Sequence, residues 1–270
     1  MPNPANTGLP HPASYTDLGD GTIRDNVTGL VWEKTESTPA LAWTAAKSYC
    51  TGLTFANRTW HLPTRIELIS IMDFSTSGTK IDTSVFPMAP GAFHFTSTPW
   101  VVSQIASKPQ YAWAINFSDG FVSTAFSQTG TANVRCVSSS VHGAIPKLYT
   151  QVAAGEIQDN ETGLVWTQAS STATTMTQSA AIAYCSGLGL NGHTWRLPSV
   201  KELSTTVDDV PPIAKVSPAI DTSVFPDTPN SGVYMSSSTS THSAGAAWAV
   251  TYTDGIATYS KTAGLARCVR

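Results

Sequence analysis

The segment IDTSVFP at residues 81–87 recurs without a change at residues 220–226. Other segments repeat in the same order around it: TGLVW at 28–32 and 162–166, and RCV at 135–137 and 267–269. The offsets of these three pairs are 139, 134 and 132 residues. So long a period indicates two tandem copies of one domain rather than a short-period solenoid. We therefore predict a first domain at residues 1–140 and a second at 141–270, separated by a Ser/Gly/Pro-containing stretch.

The composition describes a globular chain with few charges. Only 12% of the 270 residues are charged, about half the usual share. Serine and threonine together supply 68 residues. The net charge of −3 gives no general attraction to nucleic acid or to an anionic membrane, so we expect neither partner. No run of about 18 apolar residues occurs, so we predict no membrane span.

The cysteines bear on the cellular compartment. Four cysteines allow three disulfide connectivities, and the duplication favours the one that repeats within each copy: Cys50–Cys136 and Cys185–Cys268. The alternative is four reduced, buried cysteines in a cytosolic protein, but paired recurrence in a Ser/Thr-rich chain favours an extracellular or cell-surface location. The first residues lack the charged and apolar regions of a signal peptide, so this location implies a leader outside the given sequence.

The first half of each copy predicts a hairpin and two helices. Two β-prone runs flank the turn-forming residues 25–29, and small residues at helical spacing predict a helix at 39–51. Thr64 and Glu67 fit a capping box at the start of a second helix. The second copy repeats this box with Ser199 and Glu202. We therefore interpret both glutamates as helix caps rather than catalytic acids.

The last third of each copy predicts antiparallel strands. Residues 112–118 alternate, with Trp113 and Ile115 on one face and Asn116 on the other. Asp119-Gly120 is expected to form a two-residue turn, and a closing strand carries the second cysteine. The predicted disulfide then joins the first helix to the last strand. The fold class expected for each copy is α+β, an antiparallel sheet with two helices and one disulfide.

Both copies contain a longer series of short motifs, and these motifs follow one another in the same order. Both copies carry an opening close to G-T-I-x-D-x-x-T-G-L-x-W, then Y-C, W-x-L-P-[ST]-x-x-E-L, I-D-x-x-x-F-P, A-W-x-x-x-[FY]-x-D-G and R-C-V. Only the second opening departs, with Glu156 in place of threonine. Over nearly the whole chain, the copies resemble the Lcl C-terminal domain family of bacterial surface proteins. The resemblance implies two tandem C-type-lectin-like domains that act in extracellular recognition, including adhesion to glycans or glycosaminoglycans.

Two differences from known sugar-binding sequences narrow the range of ligands that we expect. C-type lectins that hold sugar through calcium usually carry E-P-N, Q-P-D or W-N-D, and none of these occurs here. Calcium binding is therefore in doubt, and we predict no metal and no other cofactor. A glycosaminoglycan would require a basic cluster, yet neither copy contains a basic run. Such a partner is expected only if the fold gathers Lys47, Lys80 and Lys108.

Candidate binding residues come from a comparison of the copies, which diverge most at residues 87–112 and 226–247. In a C-type-lectin-like fold this segment contains the long loop beside the ligand face, where aromatic rings stack on sugars and polar groups bind hydroxyls. Outward strand residues are secondary candidates. The alternative is a variable surface loop without a ligand. The candidate set is His94, Trp100, Lys108, Tyr111, Asn116, Tyr234, His242, Thr251 and Tyr259.

Three functions are compatible with these features. The favoured one is a secreted or cell-surface recognition module, non-catalytic, that binds a glycan or a surface protein receptor. The second is a structural subunit of a fibre, fimbria or phage tail, and an oligomer fits either of these. The third is an enzyme of the formylglycine-generating type, which uses a reactive cysteine. Since every cysteine has a matched partner, none remains as a nucleophile, and we predict no catalytic residues.

Overall fold

A computed structural model describes residues 1–89, 91, 93–100, 111–139, 149–171, 174–209 and 217–270. The chain forms two compact units, Met1–Ile145 and Pro146–Arg270, called here the first and second domains. Both are rich in sheet and contain few helices, which is the α+β composition expected from the sequence. No helix in the described part of the chain is both long and apolar enough to cross a membrane.

The first domain contains a four-stranded sheet, a three-stranded sheet and a two-stranded ribbon. Their orders are β1-β2-β3-β9, β5-β6-β7 and β4-β8, and all the strand pairs are antiparallel. The elements are β1 Tyr15–Asp17, β2 Thr22–Asp25, β3 Val31–Glu33, β4 Leu41–Ala42, α1 Trp43–Gly52, α2 Arg65–Ser70, β5 Phe93–Pro99, β6 Tyr111–Asn116, β7 Val122–Ser127, β8 Thr131–Ala132 and β9 Val137–Ser138.

The second domain repeats this plan with two three-stranded antiparallel sheets, β10-β11-β12 and β13-β14-β15. Isolated bridges from Val269 to Trp166 and Arg196 replace the closing strand of the first domain. The elements are β10 Tyr149–Ala153, β11 Glu156–Asp159, β12 Val165–Thr167, α3 Gln178–Ser186, α4 Val200–Thr205, β13 Val233–Thr239, β14 Ala247–Thr251 and β15 Ala257–Ser260.

Both predicted disulfides are present and lie in the core. Cys50–Cys136 joins α1 to the residue before β9, with a Cα–Cα distance of 5.5 Å. Cys185–Cys268 makes the equivalent connection in the second domain. Each half-cystine is fully buried within its domain's main apolar cluster. The clasp from the first helix to the end of the domain is therefore confirmed twice.

Both capping boxes are also confirmed. The Thr64 hydroxyl accepts a hydrogen bond from the Glu67 amide, and the Glu67 carboxylate accepts one from the Thr64 amide. Ser199 and Glu202 exchange the same two bonds at the start of α4. These bonds satisfy amide groups that the first helical turn leaves without intrahelical partners. The two glutamates are thus used in capping, as the sequence indicated.

The turn predicted at Asp119-Gly120 differs in length. The Asn116 amide donates to the Phe121 carbonyl, and this bond encloses four residues, 117–120, rather than two. The Gly120 amide donates to the Asn116 carbonyl, and Gly120 has a φ of 84°. A positive φ at the last loop position suits glycine, which has no Cβ to clash there. The two-residue turn was therefore wrong, although the glycine was a correct turn signal.

Candidate functional site

The divergent loop of each domain is closed by the same backbone bond. In the first domain the Trp100 amide donates to the Tyr111 carbonyl at 3.0 Å. In the second, the Ser240 amide donates to the Ala246 carbonyl at 2.9 Å. Ten residues separate the bonded pair in the first domain and five separate it in the second. The scaffold therefore presents loops of different length and sequence at the same end of its β5–β6 or β13–β14 hairpin.

Aromatic side chains stand at the base of the first-domain loop. The Trp100 and Tyr111 rings meet edge to face, with centroids 6.2 Å apart, and both are half-buried. The Gln128 side-chain amide donates to the Tyr111 carbonyl at 3.0 Å, and the Gln128 carbonyl accepts from the Trp43 amide at 3.1 Å. The Lys47 ammonium lies 3.5 Å from the centroid of the Trp43 ring. We name these five residues the first-domain aromatic surface.

The second domain carries a smaller group at the equivalent place. His242, exposed on the five-residue loop, lies over Tyr259 of β15 with ring centroids 5.2 Å apart. Tyr259 is half-buried, and its ring meets the buried Trp248 edge to face at 6.1 Å. Trp248 thus fixes the position of Tyr259 from below. We name His242 and Tyr259 the second-domain loop surface.

Four sequence candidates thus lie on these surfaces: Trp100, Tyr111, His242 and Tyr259. Lys108 falls outside the described residues. Asn116 and Thr251 lie at the far ends of β6 and β14, where they serve the hairpin turns. The Asn116 side-chain oxygen accepts from the Ser118 amide at 2.9 Å, and the Thr251 hydroxyl donates to Asp254. The predicted outward position of Asn116 is wrong, because this residue is buried.

His94 and Tyr234 require a correction. Both side chains have 0% exposure, so neither can contact a ligand in this conformation. His94 Nε2 lies 2.6 Å from the Glu36 carboxylate. The same carboxylate accepts from the Ala89 amide at 2.6 Å and from the Asn133 side-chain amide at 2.8 Å. We name Glu36, Ala89, His94 and Asn133 the first-domain tether, because they bind three separate segments together.

The second domain has an equivalent tether, but a different one of the joined segments supplies its acid. The position of Glu36 is taken by Ser170, and the acid now stands at Asp227, the counterpart of Met88. Asp227 accepts from the Ser170 amide at 2.6 Å and from Arg267 at 3.1 Å. The Ser170 hydroxyl lies 3.1 Å from the Tyr234 hydroxyl. The divergence of His94 and Tyr234 therefore reflects two internal solutions to one packing problem.

The tether predicts a pH-dependent stability of the first domain. Burial alone would raise the pKa of Glu36, but hydrogen bonds from His94 and Ala89 and the nearby positive charges lower it below its ordinary value. A lowered folded-state pKa stabilises the fold above the unfolded-state pKa, and this contribution is lost as pH falls through the folded value. Glu36→Gln should therefore cost about 1–3 kcal/mol of unfolding free energy at pH 7. The cost should shrink towards pH 3.

Urea unfolding at pH 7, 5 and 3 measures this difference. Glu161→Gln, at an exposed position, is the control for loss of one negative charge and should change stability by less than about 0.5 kcal/mol. A cost of Glu36→Gln that is the same at all three pH values would contradict the role of an ionised Glu36.

The repeated arginines bind the scaffold and are not exposed to a ligand. Arg135 donates to the carbonyl oxygens of Glu33, Lys34 and Pro87, and it is 1% exposed. Its hydrogen-bond partners are therefore backbone carbonyls of three residues. Burial lowers the pKa of Arg135 to about 10, partly offset by Glu36 and Glu33, so it is charged at neutral pH. Arg135 thus joins the end of β3 to the IDTSVFP segment.

The basic cluster required for a glycosaminoglycan does not form among the described residues. Lys47 lies on α1, whereas Lys80 is 1% exposed and donates to the Thr76 carbonyl. Burial lowers the pKa of Lys80, against the opposing effect of Asp73 and Asp119. Within the described ranges, no group of three or more His, Cys, Asp or Glu side chains could hold a metal ion. All four cysteines are in disulfides.

Sequence reasoning missed Trp43 and Gln128 of the first-domain aromatic surface, and it named Lys47 only as a member of a basic cluster. The candidate binding residues come from loops and outward strand positions, whereas Trp43 and Lys47 lie on the first helix. Their signal was available, because the second copy has Gln178 and Ile182 at the matched positions. A comparison of helix positions between the copies would have found both residues.

Comparison with known proteins agrees with the motif order. Residues 21–138 and 155–270 each match the Lcl C-terminal domain. These two matches cover most of the chain, which therefore belongs to the Lcl C-terminal domain family, with two tandem copies. No curated protein and no solved structure matches the chain.

Proposed function

We propose that the protein is a secreted or cell-surface recognition module that binds a carbohydrate, or a receptor bearing one, through the loop ends of its two domains. One observation carries the proposal: equivalent scaffolds hold chemically different, partly exposed aromatic groups at the same end of the hairpin. Aromatic rings offer large contact area at low entropic cost, and nearby polar groups supply hydrogen bonds. Turn and capping residues repeat between the copies, whereas these surfaces differ.

A C-type-lectin-like fold for each domain is part of this proposal. Each domain has two short helices, antiparallel strands, and a disulfide from the first helix to the end of the domain. These features support the fold suggested by the motif order. In such a fold, function is carried by the site rather than by the scaffold.

The same features support an extracellular, non-catalytic role as part of the proposal. Disulfides persist in oxidising compartments, and each domain buries one. Because both cysteines of each domain are paired, no thiol is left for chemistry of the formylglycine-generating type. We therefore propose a binding role that needs no cofactor.

A glycan array on the full chain tests this function. We expect retention of a set of saccharides, with Trp100→Ala plus Tyr111→Ala weakening one subset at least tenfold, as is typical when central aromatic contacts are truncated. His242→Ala plus Tyr259→Ala should weaken another subset. Leu18→Ala, an exposed apolar change just after β1, is the control and should leave binding intact. Absence of any bound saccharide, or equal binding by all variants, would count against the proposal.

A further inference from the structure

A long segment of the second copy contains no charged residue. Residues 162–195 hold no Asp, Glu, Lys or Arg, whereas the matched residues 28–60 hold five. The five differences involve both signs of charge: Glu33 against Thr167, Lys34 against Gln168, Glu36 against Ser170, Lys47 against Ile182, and Arg58 against His193. Depletion of charge is a compositional mark of the core of a protein–protein interface, whereas ordinary surfaces mix charges of both signs.

Helix α3 lies within this segment and turns apolar side chains outward. Ile182 is 43% exposed and Tyr184 is 37% exposed, and Ala180 and Ala183 beside them are exposed as well. One large apolar side chain on a surface would be unremarkable, but here two stand on a single short helix and small apolar residues join them. We name Ala180, Ile182, Ala183 and Tyr184 the α3 face.

The tyrosine of the first domain has an internal use that Tyr184 lacks. The Tyr49 hydroxyl donates to the Glu33 carboxylate at 2.7 Å, and the Tyr49 ring packs against the main apolar cluster of its domain. In the second domain Thr167 takes the place of Glu33, and its hydroxyl keeps the bond from the amide of the following half-cystine. Thr167 thus replaces the carboxylate without offering Tyr184 the same acceptor. A tyrosine kept at an exposed place without that bond favours an external contact.

The pattern of missing charges indicates the kind of partner that covers the α3 face. A charged partner would be matched by charges of the opposite sign, yet both signs are absent from this segment. Exposed charged residues of this domain, such as Glu161 and Lys261, lie outside it. The partner surface is therefore neutral and apolar. The α3 face of a second copy meets this requirement, because residues near a twofold axis meet their own kind and only an uncharged face avoids self-repulsion.

We infer that the α3 face joins two copies of this chain, with the two helices antiparallel across a twofold axis. Antiparallel helices also place opposite ends of their dipoles together. The nine residues of α3 span about 13 Å, which is too short to bury the roughly 800 Å² per partner of a stable complex. Association is therefore weak and reversible. A dimer carries four loop-end surfaces instead of two, which raises avidity for any ligand that both chains reach.

Sedimentation equilibrium of the full chain over about 10–500 μM tests the inference, since weak interfaces dissociate in this range. We expect the average mass to rise from that of the 28.5 kDa monomer towards twice that value. Ile182→Lys introduces the lysine that the first copy carries there, and two such lysines then meet near the axis. This variant should associate at least tenfold more weakly. Val152→Lys is the matched control, because Val152 is 42% exposed on β10 of the same domain and should not affect association.

A cysteine introduced on the α3 face locates the contact. Ala183→Cys places a thiol between Ile182 and Tyr184, and a short bis-maleimide should link two chains through it. All native cysteines are in disulfides, so the reagent reacts at the introduced thiol. Ser48→Cys, at the matched exposed position of α1, is the control and should give far less linked product.

Three results would overturn the inference: a chain that stays monomeric up to about 500 μM, equal effects of Ile182→Lys and Val152→Lys, or equal cross-linking at residues 183 and 48. The α3 face would then be covered by a different protein or by none. The dimer does not depend on the proposed function. Association through α3 in a chain that retains no saccharide on the array would leave the dimer standing while the proposed function fails.

Discussion

Replacement of Cys50 and Cys136 by alanine is expected to lower the unfolding free energy of the first domain by about 4–5 kcal/mol. The disulfide closes a loop across a sequence separation of 86 residues, and the chain-entropy model gives this magnitude for a loop of that length. Both half-cystines are fully buried, so the variant also loses packing in the main cluster. For a domain of this size, such a loss approaches the whole of its stability.

Hydrogen exchange followed by mass spectrometry separates the two domains. Peptides from residues 21–138 should lose protection in this variant, while peptides from 155–270 keep theirs. Replacement of Cys185 and Cys268, across a separation of 83 residues, is the matched control and should reverse the pattern. Full protection of 21–138 in the first variant would mean that the clasp contributes little.

Arg135→Met is expected to cost the first domain about 3–5 kcal/mol. Methionine preserves much of the side-chain volume but has no donor, so the carbonyl oxygens of Glu33, Lys34 and Pro87 lose their guanidinium partner. The guanidinium also lies 5.4 Å from the centre of the Phe86 ring. Loss of these contacts releases the IDTSVFP segment from the end of β3.

Arg24→Met provides the comparison, since it removes the same charge at an exposed position of β2. Urea unfolding of both variants gives the difference directly. Arg24→Met should change stability by less than about 0.5 kcal/mol. Similar losses in the two variants would show that net charge, and not the buried hydrogen bonds, controls the effect.

The sequence revealed those parts of the fold that depend on local chemistry or on repetition. The capping box of Thr64 and Glu67 could be predicted because its two hydrogen bonds lie within one helical turn. Cys50 and Cys136 could be paired because the second copy repeats them. The α+β class followed from the spacing of apolar residues and turn signals. These inferences needed no knowledge of how distant segments meet.

The candidate site was harder to predict because divergence between the copies has two physical causes. Trp100 and His242 differ from their counterparts on the surface, whereas His94 and Tyr234 differ inside the protein. A sequence comparison scores both kinds of change alike. Only the contact of His94 with Glu36, 58 residues away in the chain, separates them. Asn116 failed for a related reason, because its strand is buried on both faces.

The opposed tethers also bear on how the duplication persists in evolution. Tandem copies of one gene segment recombine readily, and each exchange makes the copies more alike. Here a crossover between residues 36 and 88 would join Glu36 to an aspartate at the position of Met88, placing two carboxylates where one belongs. The reciprocal product would have a serine and a methionine there, and no acid. We expect both hybrids to be less stable than either parent domain, because the tether acid, Glu36 or Asp227, is then duplicated or missing. Such a loss of stability would disfavour exchange between the copies and let their surfaces diverge.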